Sequence, residues 1–459
     1  MAEGQTVEVS RLLDERGVSS FHVKLIVWSL FIVLIDGYDI GAISFALPSL
    51  IKEWGISPRD FGPVLSASLV GILFGSALFG WVGDRYGRKV ALISANLVFG
   101  VFTLAAAYST GLQQMTVLRL LAGIGIGGII PNVVAINSES APRKMRATLA
   151  MIAVGLVPLG GAIPGFIAAI GPEHIPGYSW QTLFYIGGIV PILIALVAIV
   201  GLPESIKYMA LHQRFHAKLM KVLGDLQPGI VIPANAKFVI EDEKNVAGFN
   251  PGYLFKDGLG LITPLLWLLF ALNLMGYFFL ASWTPTLLVT AAHLPPATGA
   301  LAGALMQVGG TVGALLLCRW IDKKRFFAIA ILFVLAVPAV GSVGWFGITS
   351  QSSLLLSSFV AGFMVLGIQS GINVSGALIY PTSLRANGSG WELGIGRIGS
   401  IVGPILGALF SALPVQELYR WAAIPFAIGA VVCFAIYRLN ESRLRERPYM
   451  REGQVAAAE

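Results

Sequence analysis

The stretch FIVLIDGYDIGAIS, Phe31 to Ser44, sets two carboxylates, Asp36 and Asp39, in an otherwise apolar run. An Asp near the centre of a bilayer costs about 2.5 to 3.5 kcal/mol on insertion-type scales, so two of them need a function or a partner. Three residues apart on a helix, they share one face. Burial disfavours the charged form of a carboxyl, and a second carboxyl on the same face disfavours it further. One of the pair is therefore suited to take up and release a proton, with no indication of which. The alternative is a pair held permanently ionised by a basic partner, for which Arg119 and Arg397 are the candidates.

Arg397 also lies in an apolar run, where a guanidinium can grip a carboxylate through two parallel hydrogen bonds that water does not screen. A salt bridge to Glu392 or to an aspartate is its other reading. Arg119 can serve ion or proton coupling or can be a structural charge. Tyr38, Tyr277, Trp283 and Trp391 are ring contacts for an aromatic body or, equally, anchors at the membrane interface. The histidines His22, His174, His212, His216 and His293 fall outside the apolar runs or at their margins. That speaks against a haem or metal centre, so neither cofactor nor metal is expected. His212 and His216 in HQRFH have i, i+4 spacing, but Arg214 and Lys218 around them favour an ordinary cytosolic helix. Cys318 and Cys433 are too far apart in sequence to suggest a disulfide framework or a metal cluster.

These groups must be positioned by membrane-spanning helices. Of 459 residues 56% are hydrophobic and 12% charged, against about 25% charged in an ordinary soluble domain. Windows of about twenty apolar residues place spans near 25–47, 61–82, 90–108, 114–138, 147–170 and 181–201. A second six lie near 261–289, 298–320, 327–347, 353–380, 387–412 and 421–438. The expected fold is an all-α membrane protein of twelve helices in two pseudo-symmetric six-helix bundles: an N-terminal bundle over 1–205, a polar cytoplasmic linker over 206–258, and a C-terminal bundle with its tail over 259–459. The N-terminal twenty residues suggest no cleavable signal peptide. With the N-terminus inside, the basic residues Arg85, Arg88, Lys89, Arg143, Lys144, Arg146, Lys323, Lys324, Arg325 and Arg385 gather on the cytoplasmic side, together with the linker and tail bases. Only Lys52, Arg59 and Arg420 face the other side. This asymmetry puts both termini in the cytoplasm and explains the net charge of +7 without a nucleic acid partner.

The halves repeat each other. VGILFGSALFGWVGDR (Val70 to Arg85) aligns without gaps on VGGTVGALLLCRWIDK (Val308 to Lys323), pairing Gly71 with Gly309, Gly75 with Gly313 and Asp84 with Asp322. Pro142, Arg146, Gly155 and Gly160 pair with Pro381, Arg385, Gly394 and Gly399. Parallel repeats of this kind place a binding site between the halves, near the midplane.

GWVGDRYGRK, Gly80 to Lys89, resembles the loop between spans 2 and 3 of the major facilitator superfamily, G-x-x-x-D-R-x-G-R-[RK]. Gly80, Asp84, Arg85, Gly87, Arg88 and Lys89 meet every position. Gly80 and Gly87 are expected to allow close approach and a tight turn, and the charges to latch one conformation; a merely solvated basic loop is the plainer reading. LRLLAGIGIGG, Leu118 to Gly128, is similar to the superfamily's span 4, an Arg followed by small residues for close helix packing. NSESAPRKMR, Asn137 to Arg146, is similar to its D/E-x-x-P-x-x-x-R signature through Glu139, Pro142 and Arg146. LPES, Leu202 to Ser205, also fits, without the basic continuation of sugar porters. GLVPLGGAIPG in span 5 reads as small-residue packing.

DGYD in span 1, YFFLASWTPTLL in span 7 and YPTSLRANGSGWELGIGRIGSIVGPILG through span 11 resemble one branch, the aromatic acid:proton symporters. The resemblance covers nearly all twelve spans. It implies import of a small aromatic acid with protons, through the inner (plasma) membrane, by a monomer with no cofactor and no enzymatic activity. The resemblance and the reading of the residues together give Asp36, Asp39, Arg119 and Glu139 as the expected proton-coupling set, and Arg397, Glu392, Tyr38, Tyr277, Trp283 and Trp391 as the expected substrate set. Gly80, Asp84, Arg85, Gly87, Arg88, Lys89, Asp322, Arg146 and Arg385 gate. Glu392 departs from the branch, where a small or apolar residue is expected. A proton-coupled exporter of drugs or metabolites with the same fold is the rival reading.

Overall fold

The computed structural model describes residues 6–212, 215–226, 237–239, 251–324, 326–345, 349–381 and 384–446. Among them, twelve helices are long and apolar enough to cross a membrane. Spans 1 to 6 are Ser20–Trp54, Pro58–Tyr86, Arg88–Ala106, Leu112–Ser140, Arg143–His174 and Trp180–Gly201. Spans 7 to 12 are Ile262–Thr290, Pro296–Ile321, Phe326–Trp345, Gln351–Asn373, Asn387–Phe410 and Val415–Arg445. Several helices run past the apolar window that announces them, because local chemistry and not lipid thickness ends them. Span 1 starts where Ser19 and His22 form a reciprocal capping box. It stops at Gly55, which takes the left-handed conformation (φ +64°) and returns its N–H to the Ile51 carbonyl.

Glycines set the helix spacing, and they do so twice. A Cβ on Gly71 or Gly75 of span 2 would fall on the Leu120 or Ile124 carbonyl of span 4. In the second half, Gly309 and Gly313 of span 8 stand in the same way against the Phe359 and Phe363 carbonyls of span 10. Gly160 of span 5 meets the Leu34 carbonyl of span 1, and its repeat partner Gly399 of span 11 meets the Ala271 carbonyl of span 7. The duplication read from sequence is thus also a duplication of contacts. Without a hydrophobic drive between helices in lipid, this close backbone approach is what holds them together.

The halves touch each other at the end of the bundle away from the Asp84 loop. There the Ser66 hydroxyl donates to the Ile401 carbonyl at 2.9 Å, and Gly62 lies against the Ala408 methyl. Gly161 and Gly165 of span 5 face Gln307 and Ala304 of span 8, with the Phe45 ring beside Gly303.

Outside the spans the chain is less polar than the linker composition suggests. Helix Val9–Arg16 packs Val9 and Leu13 onto Ile206, Met209, Leu219 and Leu223 of helices Ile206–Leu211 and His216–Leu226. Strand Thr6–Glu8 pairs in parallel with Lys237–Val239. His212 and His216 belong to different segments: His212 caps the first of the two helices and stacks on Tyr208, while His216 opens the second against Phe238.

Gly75→Ala is expected to lower the thermal unfolding midpoint, since a methyl against a backbone carbonyl overpacks the contact by about 1 to 3 kcal/mol. Gly341→Ala, where a Cβ meets nothing within 4 Å, is expected to keep or raise it. Scanning fluorimetry of the two variants checks both.

Candidate functional site

The two span-1 aspartates are fully buried, at 1% and 0% exposure, yet have opposite surroundings. Asp39 accepts from the Arg119 guanidinium of span 4 at 2.8 Å and from the Thr103 hydroxyl of span 3 at 3.1 Å. Arg119 is itself 2% exposed, so this is an ion pair sealed from water. Neither oxygen of Asp36 has a hydrogen-bond partner among the described residues. The cation whose charge reaches Asp36 is Arg397 of span 11, on the other half. No ion pair holds Arg397 among the described residues. Gly37 and Gly41, between and beyond the aspartates, let span 5 come in: a Cβ on Gly37 would land on the Val157 carbonyl, and one on Gly41 would stand 2.7 Å from the Gly161 carbonyl. Gly37 and Gly41 thus press span 1 onto span 5, while Asp39 faces spans 3 and 4 and Asp36 is reached by the charge of the second half.

The aromatic candidates divide. Tyr277 is near the gap between the halves, its hydroxyl 3.4 Å from the Gln307 amide that faces Gly161. Tyr38 is locked into the first half, donating to the Leu183 carbonyl at 3.0 Å. Trp283 is fully buried and donates to the Pro404 carbonyl at 2.9 Å, in the contact of spans 7 and 11. Trp391 is 43% exposed and stacks on Trp267. Glu392 is buried against Ser375, just beyond span 10, and makes no pair with Arg397.

A second charged cluster forms at the Asp84 loop. Arg88 pairs with Asp84 at 2.7 Å and with Glu139 at 2.8 Å, and Glu139 also accepts from the Ser205 hydroxyl at 2.6 Å. Glu139 thus belongs with Arg88 in this loop cluster, and its hydrogen bonds make no link to the Asp39–Arg119 pair. Glu204 was not singled out by sequence beyond its LPES setting, yet it is the anchor of the corner. It is 3% exposed and accepts from the backbone N–H of Lys89 at 3.1 Å and of Ser205 at 2.9 Å. Burial pushes its carboxyl above the usual range, and the backbone N–H groups of Ser205 and of Lys89 and Arg88 at the start of span 3 pull it back. Gly87 turns the chain there at φ +109°, and a Cβ on it would strike the Glu204 carboxylate. The close approach expected of Gly80 is absent among the described residues, where a Cβ on it meets nothing within 4 Å. Arg85 turns outward over the Trp81 and Tyr86 rings while Tyr208 holds its carbonyl at 3.0 Å. Lys89 reaches the Ile199 carbonyl with its ammonium. Arg146 lies 3.5 Å from the Ala141 carbonyl. Asp322 lies just past Ile321, where span 8 ends, in a helix that continues to Lys324, and Arg385 begins the helix of span 11.

The residues that sequence reading did not assign are Thr103, Gln307, Ser375, Glu204 and Ser205. For Thr103, Gln307 and Ser375 the available signal was a polar side chain interrupting an apolar run, and for Glu204 and Ser205 it was the LPES motif; neither says what the side chain meets.

The sequence matches the Major Facilitator Superfamily over residues 29–391 and 266–458. It is 37% identical to the 4-hydroxybenzoate transporter PcaK of Pseudomonas putida, over 93% of this chain and 95% of that one. It is 31% identical to the gallate transporter of Pseudomonas putida, over 96% and 97%. Among solved structures it is similar to a bacterial homolog of the human lysosomal transporter Spinster, in an inward-facing and unoccupied conformation, with a TM-score of 0.72 at 15% identity over 93% of this chain and 99% of that chain. That likeness shows the fold.

Arg119→Gln leaves Asp39 buried without its cation and is expected to cost about 3 to 5 kcal/mol of stability. The double variant Asp39→Asn/Arg119→Gln is expected to recover most of that loss. A double-mutant cycle on unfolding midpoints in detergent measures it.

Proposed function

Since the chain belongs to the Major Facilitator Superfamily, we propose that it is a secondary transporter importing a hydroxybenzoate-like aromatic carboxylate with protons by alternating access. One observation carries the coupling: Asp36 and Arg397, on opposite halves, are near enough for their charges to interact, and no ion pair holds either one among the described residues. The aromatic acid follows from the relatives named for 4-hydroxybenzoate and gallate.

The chemistry is charge bookkeeping across a dry gap. Empty, ionised Asp36 and Arg397 balance each other. With substrate, the anion's carboxylate takes the guanidinium through paired, charge-assisted hydrogen bonds, and a proton neutralises Asp36. Either state can be sealed from water, whereas anion without proton, or proton without anion, leaves one uncompensated charge whose desolvation costs several kcal/mol. Closed forms are therefore populated when both ligands or neither are bound, which is the condition for symport. Asp39, paired with Arg119 and bonded to Thr103, fixes span 1 against spans 3 and 4.

The bundles over 1–205 and 259–459 rock about this gap, and the segment 206–258 joins them on the cytoplasmic side. With the basic Asp84 loop in the cytoplasm, the contacts at the far end close the outer face and the chain is inward-open. Both termini then lie inside the plasma membrane, and one chain is a complete transport unit. The Arg88, Asp84, Glu139 and Ser205 cluster gates by tying the cytoplasmic ends of spans 2, 3, 4 and 6.

In proteoliposomes with an imposed inward proton gradient, the protein is expected to accumulate labelled 4-hydroxybenzoate. Asp36→Asn is expected to lose uphill accumulation and keep exchange of labelled for unlabelled substrate. Arg397→Lys is expected to raise the apparent KM about tenfold or more, from a lost charge-assisted hydrogen bond worth roughly 1.5 to 3 kcal/mol. Outward movement of substrate against inward protons would reverse the reading.

A further inference from the structure

The short helix beyond span 10 holds a carboxyl that the cycle above does not use. Span 10 ends at Asn373, Val374 interrupts it, and helix Ser375–Ile379 follows. The fully buried Ser375 hydroxyl lies 2.6 Å from the Ile372 carbonyl and in hydrogen-bond contact with Glu392 Oε1 of span 11. A serine hydroxyl has one hydrogen, a carbonyl oxygen only accepts, and an ionised carboxylate only accepts. If Glu392 were ionised, one of these two oxygen–oxygen contacts would contain no proton, and lone pairs would face each other in a site closed to water. Both contacts are hydrogen bonds only when Glu392 carries a proton. The carboxyl then donates to Ser375, and Ser375 donates to the Ile372 carbonyl.

The charges around it agree. Span 7, packed along span 11, contains no Asp, Glu, Lys, Arg or His between Ile262 and Thr290, and its titratable Tyr277 is engaged with Gln307. Span 10 and the short helix contain no titratable side chain. Tyr380, just past that helix, is bonded to the Thr263 hydroxyl at 3.3 Å. On span 11 itself, Arg385 is seven residues before Glu392, about two turns away on the same face, and Arg397 is five residues after, on a different face. Arg443 of the last helix donates to the Ile379 carbonyl at 3.3 Å. None of these makes an ion pair with Glu392, whose exposure is 2%. Gly376 presses the short helix onto the carboxyl, leaving only 3.0 Å between a Cβ there and Glu392 Oε2.

We propose that Glu392 is a second proton-binding site, in the half of the molecule that lacks the span-1 aspartates. It is loaded in this conformation by the Ser375 relay, and it releases its proton when the break after span 10 moves off span 11. Its protonation rests on hydrogen-bond geometry alone, while its use in transport rests on the function proposed above.

Infrared spectroscopy of the purified protein at neutral pH, without substrate, tests it. The expected result is a carbonyl stretch of a protonated carboxyl that is lost in Glu392→Gln, moves to higher frequency in Ser375→Ala, and persists in Asp36→Asn. A spectrum in which Glu392→Gln removes no such band, or in which Ser375→Ala leaves it unmoved, overturns the proposal. Because no substrate is present, either result leaves the transport reading to be judged by flux.

Discussion

Two carboxylates one helical turn apart, in the same buried stretch of span 1, are treated in opposite ways by the residues around them. Asp39 has a guanidinium and a hydroxyl within hydrogen-bond distance. Asp36 has neither, and the cation nearest in charge belongs to the other half of the molecule. In a dry interior an ion is tolerable only when it is matched, so the state of Asp36 depends on how the halves stand and on what lies between them. The proposed coupling follows from that dependence, and the rest of the fold keeps it in force. The Asp39–Arg119 pair fixes span 1, so that Asp36 moves with the first half as a unit.

Rigid halves are what make such a dependence usable. The glycine contacts of spans 2 with 4, 8 with 10, 1 with 5 and 7 with 11 bring backbone onto backbone within each half, an arrangement that slides poorly. Between the halves, the named contacts are the Ser66 hydroxyl on the Ile401 carbonyl and glycines against side chains of the opposite half, among them Ala408, Gln307 and the Phe45 ring. At the other end the first half is tied internally by Arg88, Glu139, Ser205 and Glu204. Backbone-on-backbone contacts within the halves and side-chain contacts between them favour motion as two bodies.

Much of this was legible in the amino-acid sequence, and the boundary of what was legible is physical. Twelve apolar windows predicted twelve helices, because lipid demands continuous hydrogen-bonded backbone. The internal match of Gly71 with Gly309 and Gly75 with Gly313 foretold equivalent helix contacts. The acids of span 1 were visible because charge in an apolar run is costly. Their partners were not, since spacing within one helix says nothing of the residue that another helix brings. Arg119 and Arg397 were both open as partners of the pair, and only packing divided them, one to Asp39 and the other toward Asp36. Glu139 reads like a coupling acid from its superfamily signature, but the break at Pro142 places it at the helix end beside Arg88. Gly80 and Gly87 look alike in the motif, yet only Gly87 has a positive φ and a neighbour. The apolar face of helix Val9–Arg16 was missed because its mate, the segment from Ile206 to Leu223, is interrupted by polar residues and has no long period.

The central claim is that binding of the anion and protonation of Asp36 are a single event in charge. Proton uptake on substrate binding, followed with a pH-indicator dye in weakly buffered detergent solution, measures this directly. The account predicts close to one proton taken up for each 4-hydroxybenzoate bound by the wild type, and none by Asp36→Asn. Binding without proton uptake in the wild type, or uptake undiminished in Asp36→Asn, would contradict it.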